Sequence, residues 1–325
     1  MKNFQIVRAS SPSSAVASSA KDAAKYIAGG TNLVDLMKKN VTDPDRLIDI
    51  TGLDLKKVER VDGKVRIGAL AKNSQVAEDK LIKENYPLMS LALAAGASQQ
   101  IRNMATVGGN MLQRTRCSYF YNTDLPCNKR QPKSGCGAME GYNRMHAIFG
   151  ASDSCIAVHP SDMCIALAAL DATVVVEGTK GQRSIKFADF HRLPGDSPEK
   201  DTTLKDNELI IAVELPATTF SKNVHYLKVR DRTSYAFALV SVAVALDISG
   251  GRINDARLAM GGVAHKPWRL TEAESFLKGK AASPEIFRQA AVLAMKGAKS
   301  YGGNDFKLAL APNSIIEALT IAASK

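Results

Sequence analysis

Ile27-Ala28-Gly29-Gly30-Thr31-Asn32-Leu33, continuing as Val34-Asp35-Leu36-Met37, is the stretch that decides how this chain is read. Residues 25–28 (KYIA) are strand-like and the residues from 32 onward follow a helical pattern, so the two glycines stand at a strand-to-helix junction. Glycine there lets backbone approach a phosphate closely, with helix-terminal N–H groups facing it. The side chains of Thr31 and Asn32 add donors. The same residues also make an ordinary tight βα turn. The stretch is neither a G-x-G-x-x-G fingerprint nor a P-loop with its lysine, which argues against nicotinamide and nucleoside triphosphates. A second loop, Thr106-Val107-Gly108-Gly109-Asn110, repeats the Gly-Gly-Asn chemistry. Two such loops can grip one pyrophosphate from both sides.

Outward from these loops, FQIVR (4–8) alternates like a strand, and residues 10–26 read as a helix opened by Ser and Pro. RLIDIT and KVRIGAL suggest further βα units, and 85–100 is helical. After Pro160 a helix over 161–171 leads to TVVVEG, a tight turn, RSIKF, a polar acidic loop over 194–207, and ELIIAVELP. Beyond Pro216 the pattern changes to a meander, HYLKVR, ALVSVAVALDI and ARLAMGGVA, with a Gly-Gly turn at 250–251. Helices are predicted over 271–279, over 284–301 and after Pro312. No internal repeat is found. The expected organisation is α+β: a two-part α/β domain over 1–217, then a domain over 223–325 with a three-stranded antiparallel sheet and a helical bundle.

Residues 106–150 are loop-like, which is uncommon in a compact domain unless something functional organises them. All five cysteines lie between positions 117 and 164. An odd count without a secretory signal argues against a disulfide framework and for metal or cluster ligation. Cys117, Cys127, Cys136 and Cys155 are separated by nine, eight and eighteen residues, unlike the close C-x2–4-C pairs of small zinc knuckles, although zinc stays open. Four thiolates around a 4Fe-4S core leave an anion that nearby cations and N–H groups stabilise. The segment 113–150 supplies such cations, with six basic residues against two acidic ones. Cys164 sits in the apolar run MCIALAALDATVVV and reads as core.

The 325 residues carry 43 Lys plus Arg against 32 Asp plus Glu, a formal +11. The chain has no run of five basic residues and only 6% aromatics, which argues against nucleic acid. No apolar run suffices for a membrane span, and residues 1–20 lack the apolar stretch of an export signal.

IAGGTNLVDLM, QQIRNMATVGGN and HPSDM, with LKVRDRTSYAFALVSVA and AMGGVAHKPWR downstream, resemble the FAD-binding subunits of the molybdenum hydroxylase (xanthine dehydrogenase) family over essentially the whole chain. The cysteine-bearing insertion, about 113–156, is most similar to the FAD and 4Fe-4S subunit of periplasmic aldehyde oxidoreductases. The resemblance implies a PCMH-type FAD-binding domain followed by a CO dehydrogenase flavoprotein C-terminal-like domain. It implies that Ile27, Ala28, Gly29, Gly30, Thr31, Asn32 and Leu33 wrap the FAD pyrophosphate, with Thr106, Gly109 and Asn110 as the second loop. It places Asp162 at the adenosine side and Lys228 at the flavin, and makes Cys117, Cys127, Cys136 and Cys155 the cluster ligands. The implied partners are a catalytic subunit with the molybdenum cofactor, a 2Fe-2S subunit and an external electron acceptor, in a complex exported to the periplasm by a partner's twin-arginine signal or kept in the cytoplasm.

Many family members have an acidic residue where this chain reads Tyr235-Ala236-Phe237, a departure that counts against NAD, the family's common acceptor. These aromatics either cover a ring face or pack in the sheet. His159 is expected to support the fold around Cys155 and Asp162. His146, His191, His225 and His265 make no metal or triad spacing, and Trp268 reads as packing. Other readings are a subunit of a purine or heteroaromatic hydroxylase, and a cluster-binding sensor or scaffold whose glycine loops are plain turns.

Overall fold

The computed structural model describes residues 1–20 and 23–325. The chain opens with β1 (Gln5–Arg8), α1 (Pro12–Ser19), β2 (Ala24–Ile27), α2 (Leu33–Lys38) and β3 (Arg46–Asp49), whose strands form a parallel sheet in the order β1-β3-β2. Helix α1 starts on a capping box between Ser11 and Ser14 with Pro12 in the first turn, a local start that Ser and Pro favour. It ends at Ser19, short of the helix expected to 26; Ala24–Ile27 is strand, and Lys21 and Asp22 fall outside the described residues.

Next come β4 (Val58–Val61), β5 (Lys64–Gly68), α3 (Asn73–Glu78), α4 (Lys80–Asn85), α5 (Pro87–Ala95), α6 (Gln99–Met104), α7 (Val107–Met111), α8 (Ser118–Tyr121), α9 (Asp162–Ala169), β6 (Thr173–Gly178), β7 (Gly181–Lys186), α10 (Phe187–Phe190) and β8 (Leu209–Leu215). The five strands form one sheet in the order β4-β5-β8-β6-β7 with antiparallel neighbours throughout. KVRIGAL is therefore not a βα unit. It is the second arm of a hairpin whose turn is Asp62-Gly63, both at positive φ (50° and 76°), the pair that a tight hairpin turn favours.

The C-terminal part runs β9 (Val224–Val229), β10 (Val240–Ser249), β11 (Arg252–Gly261), β12 (Trp268–Arg269), α11 (Thr271–Leu277), α12 (Pro284–Ala294) and α13 (Lys307–Ala323). The expected meander is present around the Gly250-Gly251 turn, and the two-residue β12 adds a fourth, edge strand. Alternation along β10 divides two cores: Val240, Val242, Val244 and Leu246 pack with the helices of this part, while Ala243 and Ala245 belong to the core that holds α5 and α9. The small residues let α9 lie close; a Cβ at Gly261 would stand 2.7 Å from Ile165.

Helix α12 stops at Ala294, and Gly297 follows at φ 80°, so the helix expected to 301 is shorter. Helix α13 begins at Lys307 and carries Pro312 inside it instead of starting after it. The missing N–H at Pro312 costs a helical bond. Ala311, Ile315, Ala318, Leu319 and Ala322, packed into the core, hold the helix through it. Among the described residues no helix is long and apolar enough to cross a membrane.

Candidate functional site

The two glycine loops touch. A Cβ at Gly29 would lie 2.1 Å from the Met104 carbonyl oxygen, so only glycine allows the first loop to meet the α6–α7 junction; Gly30 is at φ 70°. Thr106 caps α7 by accepting from Gly109 N at 3.3 Å. Asn32 Oδ1 accepts from Arg114 N at 2.9 Å, which leaves Asn32 Nδ2 buried with no partner. A buried amide donor without an acceptor is costly, and a bound anionic group would satisfy it.

These loops floor a cleft of about 1950 Å³, its open mouth included, lined by Thr31, Asn32, Gly109, Asn110, Asp162 and Lys228 among others. Its enclosed space, about 770 Å³, falls in the upper part of the ~300–1,000 Å³ of small-molecule and cofactor sites. Ile27, Ala28, Gly29, Gly30, Leu33 and Thr106 stand behind this surface and shape its backbone. The residues present fit FAD: a glycine cradle, a buried orphan donor and a long groove.

Asp162 and Lys228 stand together. Lys228 Nζ donates to Asp162 Oδ2 at 2.8 Å and to the Ala95 carbonyl at 3.1 Å, with the two side chains 4% and 8% exposed. Tyr226 donates to Asp162 Oδ1 at 2.8 Å. The pair forms one point of the cleft wall. Tyr226 and Lys228 follow the period of two along β9, and Arg230, just past its end, also donates to Ala95 O, 3.3 Å away. That alternation was the available signal for Tyr226, which sequence reading missed.

Tyr235 and Phe237 lie in the loop between β9 and β10, not in the sheet. Both line the cleft and are 57% and 42% exposed, with the Arg232 and Arg116 guanidinium groups over their rings at 5.5 and 5.1 Å. Of the two expectations, packing in the sheet is ruled out.

The four spaced cysteines converge. Cys127 and Cys136 face each other as an antiparallel bridge, Asn128 ties to Ser154 beside Cys155, and Cys117 opens α8. All four are free thiols lining one small cavity. Arg130 holds the loop from inside, donating to the carbonyls of Tyr119 (2.7 Å), Phe120 (2.9 Å), Thr123 and Leu125. Burial pushes the Cys117 thiol up to about 11 and Cys155 up to about 12. Metal loading at this cavity must therefore displace protons. His146 Nε2 lies 3.1 Å from Cys117 Sγ. A third cavity, about 200 Å³, shares Arg116, Met145 and Phe237 with the cleft and Cys117 and His146 with the cysteine cavity, so it joins the two.

The cations of the insertion act differently from expectation. Arg114 and Lys129 both bind Asp201, Arg116 lies 3.6 Å from Asp35, and Arg144 grips Asp231 at 2.8 and 2.9 Å. Carboxylates from outside the insertion thus neutralise much of its charge. Burial alone would raise Asp201, yet His265, Lys129 and Arg114 hold it well below the usual carboxylate range. Lys129, 1% exposed in its side chain, is the cation whose field acts on Cys155.

Two of the histidines, distant in sequence, meet in space. His159 and His191 lie with ring centroids 4.3 Å apart, and with Cys164 their ligand atoms fall within 4.8 Å of one another. Burial keeps both imidazoles neutral, His191 at about 4, and pushes the Cys164 thiol to about 12. Cys164 is fully buried in the main core, as its apolar run implied. Trp268 stacks on Phe149 at 5.1 Å, a packing role.

A parallel three-stranded lobe, a five-stranded antiparallel sheet and a meander-plus-helix domain around a two-loop cleft define a flavin-binding subunit. Residues 2–218 match the FAD binding domain in molybdopterin dehydrogenase, and residues 225–319 match the CO dehydrogenase flavoprotein C-terminal domain. The chain belongs to this family, the FAD-binding subunits of molybdenum hydroxylases, and is a subunit of an oxidoreductase. It is 48% identical over 324 residues, 98% of each chain, to the aldehyde oxidoreductase FAD-binding subunit PaoB of Escherichia coli. It is 30% identical to the glyceraldehyde dehydrogenase medium chain of Sulfolobus acidocaldarius, over 83% of this chain and 79% of the relative. Among solved structures, a carbon monoxide dehydrogenase of Hydrogenophaga pseudoflava superposes with a TM-score of 0.78 at 25% identity, covering 99% of this chain and 98% of the other.

Proposed function

We propose that this chain is the FAD- and 4Fe-4S-carrying electron-transfer subunit of a molybdenum-dependent aldehyde oxidoreductase. It takes electrons from a 2Fe-2S subunit and passes them to an external acceptor, while the aldehyde is oxidised on a partner subunit with the molybdenum cofactor. The observation that carries this reading is the convergence of Cys117, Cys127, Cys136 and Cys155 on one cavity joined to the FAD cleft. Similarity to an aldehyde oxidoreductase subunit over 98% of the chain supports the aldehyde class. When bound, FAD exchanges electrons singly or in pairs and a 4Fe-4S cluster exchanges them singly.

The chain's own residues do the holding. Gly29 and Gly30 bring backbone up to the pyrophosphate, with Thr31, Asn32, Gly109 and Asn110 around it. Asp162 and Lys228 form a fixed polar point in the cleft wall, and Tyr235 and Phe237 stand at its mouth to cover a ring face. The four cysteines hold the iron, and Lys129 and backbone N–H groups offset their charge. The complex is proposed to reach the periplasm through a partner's twin-arginine signal.

The test is anaerobic purification with any bound subunits, followed by absorption and electron paramagnetic resonance. Flavin bands over a broad iron–sulfur shoulder, with molybdenum and 2Fe-2S subunits co-purifying, are expected. Colourless protein with zinc in place of iron would refute the reading.

A further inference from the structure

We infer that His146 is a positioning residue for the cluster site: its Nε2–H donates to the Cys117 sulfur and raises the reduction potential at the end of the site that faces the flavin cleft. This rests on the 4Fe-4S reading above.

The ring is held in place from its backbone. His146 N donates to Asn143 O at 2.9 Å, and its carbonyl accepts from Lys307 Nζ at 2.9 Å and Asn304 Nδ2 at 3.3 Å. Lys307 and Asn304 are themselves fully buried, so the C-terminal domain fixes where this ring sits. With the ring placed, Nε2 lies 3.1 Å from Cys117 Sγ, while Nδ1 is buried and has no hydrogen-bond partner. That asymmetry selects the tautomer. A thiolate ligand is only an acceptor, so the proton belongs on Nε2, and the bare lone pair is left at Nδ1. The opposite tautomer would bury an N–H with nothing to receive it, the costlier defect.

A hydrogen bond to a ligand sulfur draws charge from the cluster and favours its more negative, reduced state. Cys117 and His146 line both the cysteine cavity and the cavity that joins it to the cleft. The other three cysteines do not line the joining cavity. The donor is therefore placed at the ligand nearest the flavin.

The experiment is a mediated redox titration of the purified complex, followed by electron paramagnetic resonance, for wild type, His146→Leu, His146→Phe and His146→Gln. With iron and flavin content retained, the Leu and Phe variants should lower the cluster midpoint by about tenfold in the reduction equilibrium, which is 59 mV for one electron. The flavin midpoint should stay put, and Gln, which keeps a donor, should recover part of the shift. Phe preserves ring volume, so it carries the test if Leu loses iron. An unshifted cluster midpoint in an iron-loaded Leu or Phe variant would overturn the inference alone, as would an equal shift of cluster and flavin. Absence of iron from the wild-type complex would overturn the inference together with the reading it rests on.

Discussion

Lys228→Met in the flavin-free chain should be far more damaging than its surface-like residue type suggests. The ammonium is 2.8 Å from Asp162 Oδ2, and both side chains are nearly excluded from water. Its removal leaves Asp162 buried with the Tyr226 hydroxyl as its remaining side-chain partner, 2.8 Å away. Stripping one member of a buried pair typically costs about 3–5 kcal/mol, whereas replacing both by apolar groups is often close to neutral. The single variants Lys228→Met and Asp162→Leu are therefore expected to lose about 3 kcal/mol or more each, and the double variant far less than their sum. Urea unfolding of the four proteins at one pH gives the cycle directly. FAD affinity should fall in the singles as well, because the pair shapes the cleft wall. Additivity of the two single effects to within about 0.5 kcal/mol would show that the groups are not coupled and would refute the reasoning.

Two further outcomes follow from the site's construction. Gly29→Ala places a methyl 2.1 Å from the Met104 carbonyl and must part the two glycine loops; overpacking of about 1–3 kcal/mol translates to roughly tenfold or greater loss of FAD affinity, and an unchanged Kd by flavin fluorescence would contradict the loop contact. Burial holds His191 at about 4 in the folded chain, below the ~6.5 of an unfolded histidine. Between those values the unfolded chain binds the extra proton, so this contribution is complete above about pH 6.5 and is lost as pH falls toward 4, by about 3 kcal/mol at most. His191→Gln should flatten the decline in urea midpoint over that window; an identical pH slope would show that His191 is not the group.

What could be read from the sequence was what acts locally. IAGGTN and TVGGN announce themselves because close backbone approach and positive φ leave glycine as the fitting residue, and both loops line or support the cleft. The alternation VSVAVAL carries its own two-faced burial, so β10 and the meander were legible. Pairing partners far apart in sequence were not: β5 takes its antiparallel neighbour β8 from more than 140 residues downstream, and only the Asp62-Gly63 turn hinted that KVRIGAL was a hairpin arm. The cysteine spacing named candidates without geometry, which comes from the Cys127–Cys136 bridge and from Arg130 bonding four carbonyls. Net charge misled for the same reason. The carboxylates that pair with Arg114, Lys129, Arg116 and Arg144 are Asp201, Asp35 and Asp231, all outside the basic segment. His146 is 29 residues from Cys117 and belongs to no spacing motif, so only the fold brings ring and sulfur together.

The most direct test of the central claim is the iron-to-flavin ratio of the purified chain, measured beside Cys127→Ser. About four irons per FAD are expected in wild type, with loss of the iron and retention of most of the flavin in the variant. Iron in the variant equal to wild type, or wild type holding flavin and zinc but no iron, would contradict it.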